Sequence, residues 1–131
     1  MQDSIFTKII RGEILCEKVY EDDATFAFLD IHPIQPGHTL VVPKLQIANF
    51  EDMDDETYQK LFSSVKKVAQ RIKEVLNPAK VCLRIEGFDV AHVHVHVYPC
   101  NNAQEFYGAR DRLQKEPDHP ALAELAKKLA F

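Results

Sequence analysis

The sequence predicts an α+β domain: a five-stranded antiparallel sheet with one long helix and short terminal helices. Three observations carry this reading. One apolar stripe at helical spacing runs from about residue 54 to residue 76. The β-rich runs come in pairs, joined by connections too short for the crossovers that parallel strands need. Last, His92-Val93-His94-Val95-His96-Val97 alternates imidazole and valine, the period of a strand that sets three histidines on one face and three valines on the other. The valines are β-branched and supply a face to bury. Packing explains the histidines poorly, because each buried imidazole asks for its own hydrogen-bond partners.

Taken in order, Ser4 can cap a short helix in which Ile5, Phe6, Ile9 and Ile10 recur at helical spacing, stopped at Gly12. Lys18–Glu21 and Thr25–Leu29 read as two strands around a tight turn at Asp22-Asp23. A loop from Asp30 with Pro33, Pro36 and Gly37 leads to a third, strongly apolar strand, His38–Pro43. The long helix follows. Tyr58, Leu61, Phe62, Val65, Val68, Ala69, Ile72 and Leu76 form its stripe, and Asn77-Pro78 ends it. Glu51, Asp52, Asp54, Asp55 and Glu56 cluster at its start, where the helix dipole favours negative charge. Val81–Glu86 and His92–Pro99 are strands four and five, with Gly87 in the turn between them. Residues 101–112 read as loop with room for one helical turn, and Pro120–Leu129 as a short helix carrying Leu122, Leu125, Ala126 and Leu129.

At 131 residues the chain is long enough for one domain with a proper core, so 1–131 is expected to be a single unit. Its net charge is −4 and it has no basic block, which argues against nucleic acid as a partner but not against a nucleotide. Cys16, Cys82 and Cys100 are an odd set without Cys-x-x-Cys, better suited to a reducing compartment than to a disulfide framework. The N-terminal stretch lacks the pattern of a signal peptide, and no apolar run is long enough to span a membrane. The expected location is cytoplasmic.

Three readings compete for the histidine face. His94 can be a nucleophile toward phosphorus with its neighbours orienting it; the strand can supply ligands to a metal, as His-x-His pairs often do; or the face is polar and without a task. Spacing alone does not separate the first two. The motif His92-Val-His94-Val-His96-Val97-Tyr98 resembles the signature of the histidine triad family. Ser4–Ile14, Tyr20–Asp23 and the run from Phe28 through Asp30 and His38 to Lys44 resemble further blocks of that family, in the same order. The resemblance covers about residues 4–99, leaving 100–131 as a variable C-terminal segment. It is strongest to the Hint branch of purine nucleoside phosphoramidases.

The resemblance implies a hydrolase that acts on purine nucleoside phosphoramidates or adenylates, releasing AMP through a nucleotidyl-histidine. It implies His94 as nucleophile and His96 as donor to the phosphate or leaving atom. His92 and His38 would form a relay behind, His38 orienting His92. Asp30 would hold the ribose, and Ile5, Phe6, Ile9, Phe28 and Ile31 would sandwich the base. The implied ligand is AMP-like, the implied assembly a homodimer with a joined sheet. A diadenosine polyphosphate hydrolase is the alternative enzyme, and a non-catalytic nucleotide-binding scaffold the alternative of another class. Three departures stand out. Ser4 and Thr7 occupy the positions of a zinc-binding Cys-x-x-Cys found in bacterial relatives, so no metal and no cofactor is expected. Asp89 stands where relatives have a hydroxyl or amide donor to the phosphate; it either faces the nucleotide or caps the turn. Arg84-Ile85-Glu86-Gly87 lacks the family's asparagine.

Overall fold

The computed structural model describes residues 2–108 and 110–131. Met1 and Ala109, which fall in the N-terminal stretch and in the expected 101–112 loop, lie outside them. The element order is α1 (Ile5–Ile10), β1 (Lys18–Glu21), β2 (Thr25–Leu29), β3 (Thr39–Pro43), α2 (Asp55–Leu76), β4 (Lys80–Arg84), β5 (Val95–Cys100), α3 (Ala103–Tyr107) and α4 (His119–Leu129), with 3₁₀ turns at Phe50–Asp52 and Arg110–Gln114. The five strands form one antiparallel sheet in the order β1-β2-β3-β5-β4. No helix among the described residues is long and apolar enough to cross a membrane.

Alternation along the strands divides the core in two. Val19, Ala27, Leu29, Val41, Val93, Val95 and Val97 point to one face, where the α2 stripe of Leu61, Val65, Val68 and Ile72 and the α4 residues Leu122, Ala126 and Leu129 cover them. Phe26, Phe28, Leu40 and Val42 point to the other face, covered by Phe6 and Ile9 of the six-residue α1. A helix that short leaves part of this second face open, and the histidines lie there. The acidic cluster before α2 does cap it: the Asp54 carboxylate accepts the Thr57 amide at 2.7 Å. At the other end Asn77 takes the left-handed conformation, φ 50°. The C-terminus folds back on β1, where the Phe131 amide donates to the Val19 carbonyl at 3.0 Å and its ring stacks on Tyr20.

The last strand differs from expectation in an informative way. Pairing with β3 begins at Val95 rather than His92, since Thr39, Leu40 and Val41 face Val97, His96 and Val95. Continuing the ladder would set Val93 opposite Pro43, which has no amide hydrogen to donate. The Val93 amide instead donates to the Ile47 carbonyl at 2.8 Å. Residues 92–94 therefore leave the ladder while keeping the alternation of faces.

The turn between β1 and β2 is built on Asp22. Its carboxylate accepts the Ala24 and Thr25 amides at 3.0 and 2.8 Å, together with the Tyr20 and Ser64 hydroxyls. Burial pushes the Asp22 pKa up, but these donors outweigh it and bring the carboxyl down to about 2. A depressed carboxylate contributes stability that is complete above its unfolded pKa of about 3.9 and is lost as pH falls through the folded value. Asp22→Asn is therefore expected to cost about 1 kcal/mol at pH 7 after allowance for solvent screening, with the gap closing as pH approaches 2. Thermal melts of both proteins across that range check this; a gap that persists at low pH would mean the charge is not its source.

Candidate active site

Backbone geometry places each histidine differently. β5 sets His96 between β3 and β4, with Leu40 opposite it on one side and Arg84 on the other. His94 lies just before the ladder, its ring against the edge of Phe6 at 4.8 Å and that of His96 at 5.1 Å between centroids. His38 immediately precedes β3. Its ring packs against His96 and Tyr98, both at 5.1 Å. His92, His94 and His38 are buried, and His96 keeps 14% of its side chain exposed.

The hydrogen bonds decide where the protons are. The Ile34 amide donates to His38 Nδ1 at 3.0 Å, so the single proton of a neutral His38 sits on Nε2. That Nε2 is 2.9 Å from His96 Nδ1 and donates to it. The proton of His96 is thereby on its own Nε2, a buried atom with no partner among the described residues. His94 Nδ1 lies 2.7 Å from the His92 carbonyl, which can only accept; the proton is on Nδ1 and the Nε2 of neutral His94 is a bare lone pair. In the same way His92 Nε2 donates to the Pro43 carbonyl at 2.8 Å, and its Nδ1 accepts the Ser4 hydroxyl at 2.7 Å. Burial first, then the neighbouring His94, pushes His96 down to about 4. Burial first, then His96, holds His38 well below the usual histidine range. Both are neutral at pH 7.

One expectation needs correction: His38 orients His96, and not His92. In the antiparallel register the residue across from His38 is Tyr98, and His92 lies six residues further along, roughly 20 Å away at about 3.3 Å per residue. The orienting partner of His92 is Ser4, which also caps α1 by accepting the Thr7 amide at 3.0 Å. Ser4 was legible in the sequence as a cap; its second role depends on where α1 docks.

His94 and His96 open into a cavity of about 540 Å³ whose lining includes Ile5, Phe6, Ile9, Phe28, Asp30, Ile31 and Asp89. Every expected binding residue is thus brought to one cleft, with His92 and His38 behind it. Phe6, Ile9 and Phe28 are buried walls, whereas Ile5 and Ile31 are about half exposed at the mouth. Asp30 fixes one carboxylate oxygen on the His32 amide at 2.8 Å, and burial pushes its pKa up. Its other oxygen is 3.6 Å from His38 Nε2. Asp89 is exposed at the far rim. Arg84, Glu86, Arg112 and Leu113 also line the cavity and were not among the expected binding residues. No signal within one strand marks them, since they reach the cleft from β4, from the turn after it and from the C-terminal segment.

Two groups of side chains have donor atoms close enough for a metal ion: Glu86, His94 and His96, and Asp30, His38 and His96. The proton positions do not fit either. A metal on His96 Nε2 needs that nitrogen deprotonated, and the chain from the Ile34 amide through His38 places a proton there. His38 has its Nδ1 lone pair occupied and its Nε2 protonated, so it is no better a ligand. At the head of α1, Ser4 and Thr7 offer hydroxyls that are already hydrogen-bonded, Ser4 to His92 and Thr7 to Gln46.

An α+β scaffold with alternating histidines along one strand and a cleft before them defines the histidine triad class, and the chain belongs to the HIT domain family, whose model matches residues 11–103. Among its relatives, the adenosine 5'-monophosphoramidase hnt1 of Schizosaccharomyces pombe is 41% identical over 105 residues, 79% of this chain and 77% of that protein. The adenylylsulfatase HINT3 of Arabidopsis thaliana is 32% identical over 102 residues, 74% of this chain and 52% of the other. A crystal structure of a Hit-like protein from Bartonella henselae superposes with a TM-score of 0.81 at 33% identity, covering 97% of this chain and 94% of that one.

Proposed function

We propose that this chain is a metal-independent nucleotide hydrolase that converts purine nucleoside phosphoramidates or adenylates, AMP–X, to AMP through a nucleotidyl-histidine on His94. The observation that carries the reading is the pairing of opposite roles in one cleft: a bare lone pair on His94 Nε2 beside a proton on His96 Nε2. In the first step the His94 lone pair forms an N–P bond to the α-phosphorus while the P–X bond breaks and its electrons go to X. His96 Nε2–H hydrogen-bonds to X as charge builds there, and X departs as HX with a proton taken from a water molecule, leaving hydroxide. That hydroxide, or a water that gives its proton to it, then attacks phosphorus, the N–P electrons return to His94, and AMP is released while His96 keeps its proton throughout. Splitting one displacement into two is the advantage of the covalent route.

His38 and Ser4 act as positioning residues: His38 holds His96 in its tautomer, and Ser4 anchors His92, whose carbonyl holds His94. The base lies between Phe6, Ile9, Phe28 and the exposed Ile5 and Ile31, with Asp30 accepting from the ribose hydroxyls. Names borne by relatives support the class of substrate, one a monophosphoramidase and one an adenylylsulfatase. The outer edge of β4 ends the sheet, with Leu83, Ile85 and the adjacent Phe88 exposed, and this supports a homodimer with a joined sheet. Sedimentation at twice the 15.0 kDa chain mass is the expected result, and a monomer at micromolar concentration would remove that part of the reading.

The direct test is hydrolysis of adenosine 5'-phosphoramidate with and without EDTA. Turnover unchanged by EDTA supports the reading. Loss with EDTA returns the histidines to metal binding, and AMP binding without turnover indicates a scaffold protein.

A further inference from the structure

The hydrogen bond between His38 Nε2 and His96 Nδ1 can form in either direction, because a neutral imidazole has one donor and one acceptor nitrogen. In one direction His96 carries its proton on Nε2 and offers a donor to the cleft. In the other it donates from Nδ1, and its Nε2 is a lone pair. The two rings by themselves do not choose. The Ile34 amide does: it donates to His38 Nδ1 at 3.0 Å, and the reverse arrangement would set one N–H against another. Whatever holds that amide in place therefore decides whether His96 presents a donor.

Ile34 lies in the loop between β2 and β3, where hydrogen bonds join the loop to itself: the His32 amide to the Asp30 carboxylate at 2.8 Å, the His38 amide to the Gln35 carbonyl at 3.0 Å. The loop borders two cavities, the histidine cleft and a second of about 360 Å³ that reaches Leu122 and Leu125 of α4; Ile31, His32 and Ile34 line both. Near its end Gly37 packs against Leu76 and Pro99. Its middle is held by the Ile34 side chain, 7% exposed, in a small apolar cluster with Tyr98, Cys100 and Phe106. The segment after β5 closes that cluster. Phe106 of α3 stacks on Tyr98, and its carbonyl accepts from the Tyr98 hydroxyl at 2.8 Å and from the Arg84 guanidinium at 3.1 Å. Gly108, at φ 72°, ends α3 so close to the loop that a Cβ there would lie 2.7 Å from Ile34 Cγ2.

We propose that Ile34 is the positioning residue that sets the tautomer of His96, and that α3 clamps it in place through Phe106 and Gly108. Its part in catalysis rests on the reading of His96 as donor to the leaving atom given above. One hydrogen bond of this kind shifts an equilibrium by about tenfold, enough to turn a mixture of tautomers into essentially one. Ile34 acts through His38 rather than on the reacting atoms. The donor in the cleft is thus governed from two segments that carry none of the histidine strand, the loop after β2 and the helix after β5.

The test reads the tautomers in the free protein, by nitrogen NMR of histidine-labelled samples at pH 7, so no substrate is needed. Wild type should show His96 in a single form, protonated on Nε2. Ile34→Ala keeps the amide but removes Cγ1 and Cγ2, two of the three atoms nearest Gly108, and should shift the His96 ratio toward Nδ1 by about tenfold. Ile34→Val keeps all three atoms and should keep the wild-type form. Phe106→Ala, outside both large apolar clusters, opens the clamp from the other side and should reproduce the shift. A single Nε2 tautomer in either alanine variant, a mixture in wild type, or a shift in Ile34→Val as large as in Ile34→Ala overturns the proposal. Turnover is the second readout. Both alanine variants should lose more on adenosine 5'-phosphoramidate than on an AMP ester of 4-nitrophenol; equal losses, the mark of altered nucleotide binding, overturn the catalytic part. If wild type hydrolyses neither substrate, the hydrolase reading has failed, and the tautomers still decide the role of Ile34.

Discussion

Replacing His94 by alanine is expected to lower turnover of adenosine 5'-phosphoramidate by about 10⁴-fold or more, the scale seen when a covalent nucleophile is removed. The argument is that none of the three histidines around it can take its place. His96 Nε2 carries a proton and His92 has both ring nitrogens engaged, one on the Pro43 carbonyl and one on the Ser4 hydroxyl. His38 Nε2 faces His96 rather than the cavity. The variant should still fold, because His94 makes its one side-chain hydrogen bond to a backbone carbonyl and belongs to neither apolar core. It should also still bind AMP, since the apolar walls and Asp30 are untouched. Mass spectrometry of wild type quenched during turnover under alkaline conditions, which spare an N–P bond, should find the nucleotide mass on the peptide holding His94. Residual activity within tenfold of wild type, or label on another residue, would rule out this nucleophile.

The second large effect is conditional on the substrate. His96→Ala should reduce turnover of an amine leaving group by about 10² to 10³-fold, the scale of removing one positioned hydrogen-bond donor from the atom where charge develops. It should have far less effect on an AMP ester of 4-nitrophenol, whose anion departs without needing a proton. The dependence on leaving group distinguishes hydrogen-bond donation to the leaving atom from a purely structural role, which would slow both substrates alike. His38→Ala is the companion measurement. Without His38 the tautomer of His96 is no longer imposed, because the acceptor role of its Nδ1 is set only by His38 Nε2–H. A loss that follows the same leaving-group dependence supports a relay through His38, and equal losses on both substrates would count against it.

Much of this molecule is legible without coordinates. The alternation of imidazole and valine forces a strand with an apolar and a chemical face, and Val93, Val95 and Val97 do pack under α2. The α2 stripe, its acidic start and the Asn77-Pro78 stop are local signals, and the helix obeys them over Asp55–Leu76. The histidine motif, with the blocks around it, pointed to the family to which the chain belongs. All of these depend on residues a few positions apart, whose relation is set by the 3.6-residue turn of a helix or the two-residue period of a strand.

What the sequence did not decide was who meets whom across the sheet. His38 as the partner of His96, Ser4 as the partner of His92 and Arg84 opposite His96 all follow from strand register and from the docking of α1. Register is a property of paired strands, and a shift of two residues would keep every side chain on its own face while changing every partner. Proton positions are more remote still. The proton on His96 Nε2 traces back to the amide of Ile34, 62 positions earlier in the chain, through a ring that only the fold brings within 2.9 Å. The amino-acid sequence alone therefore determined which side chains carry the chemistry. The tertiary structure decided which nitrogen holds a proton and which a lone pair, because a tautomer is set by the hydrogen-bond partner of each ring.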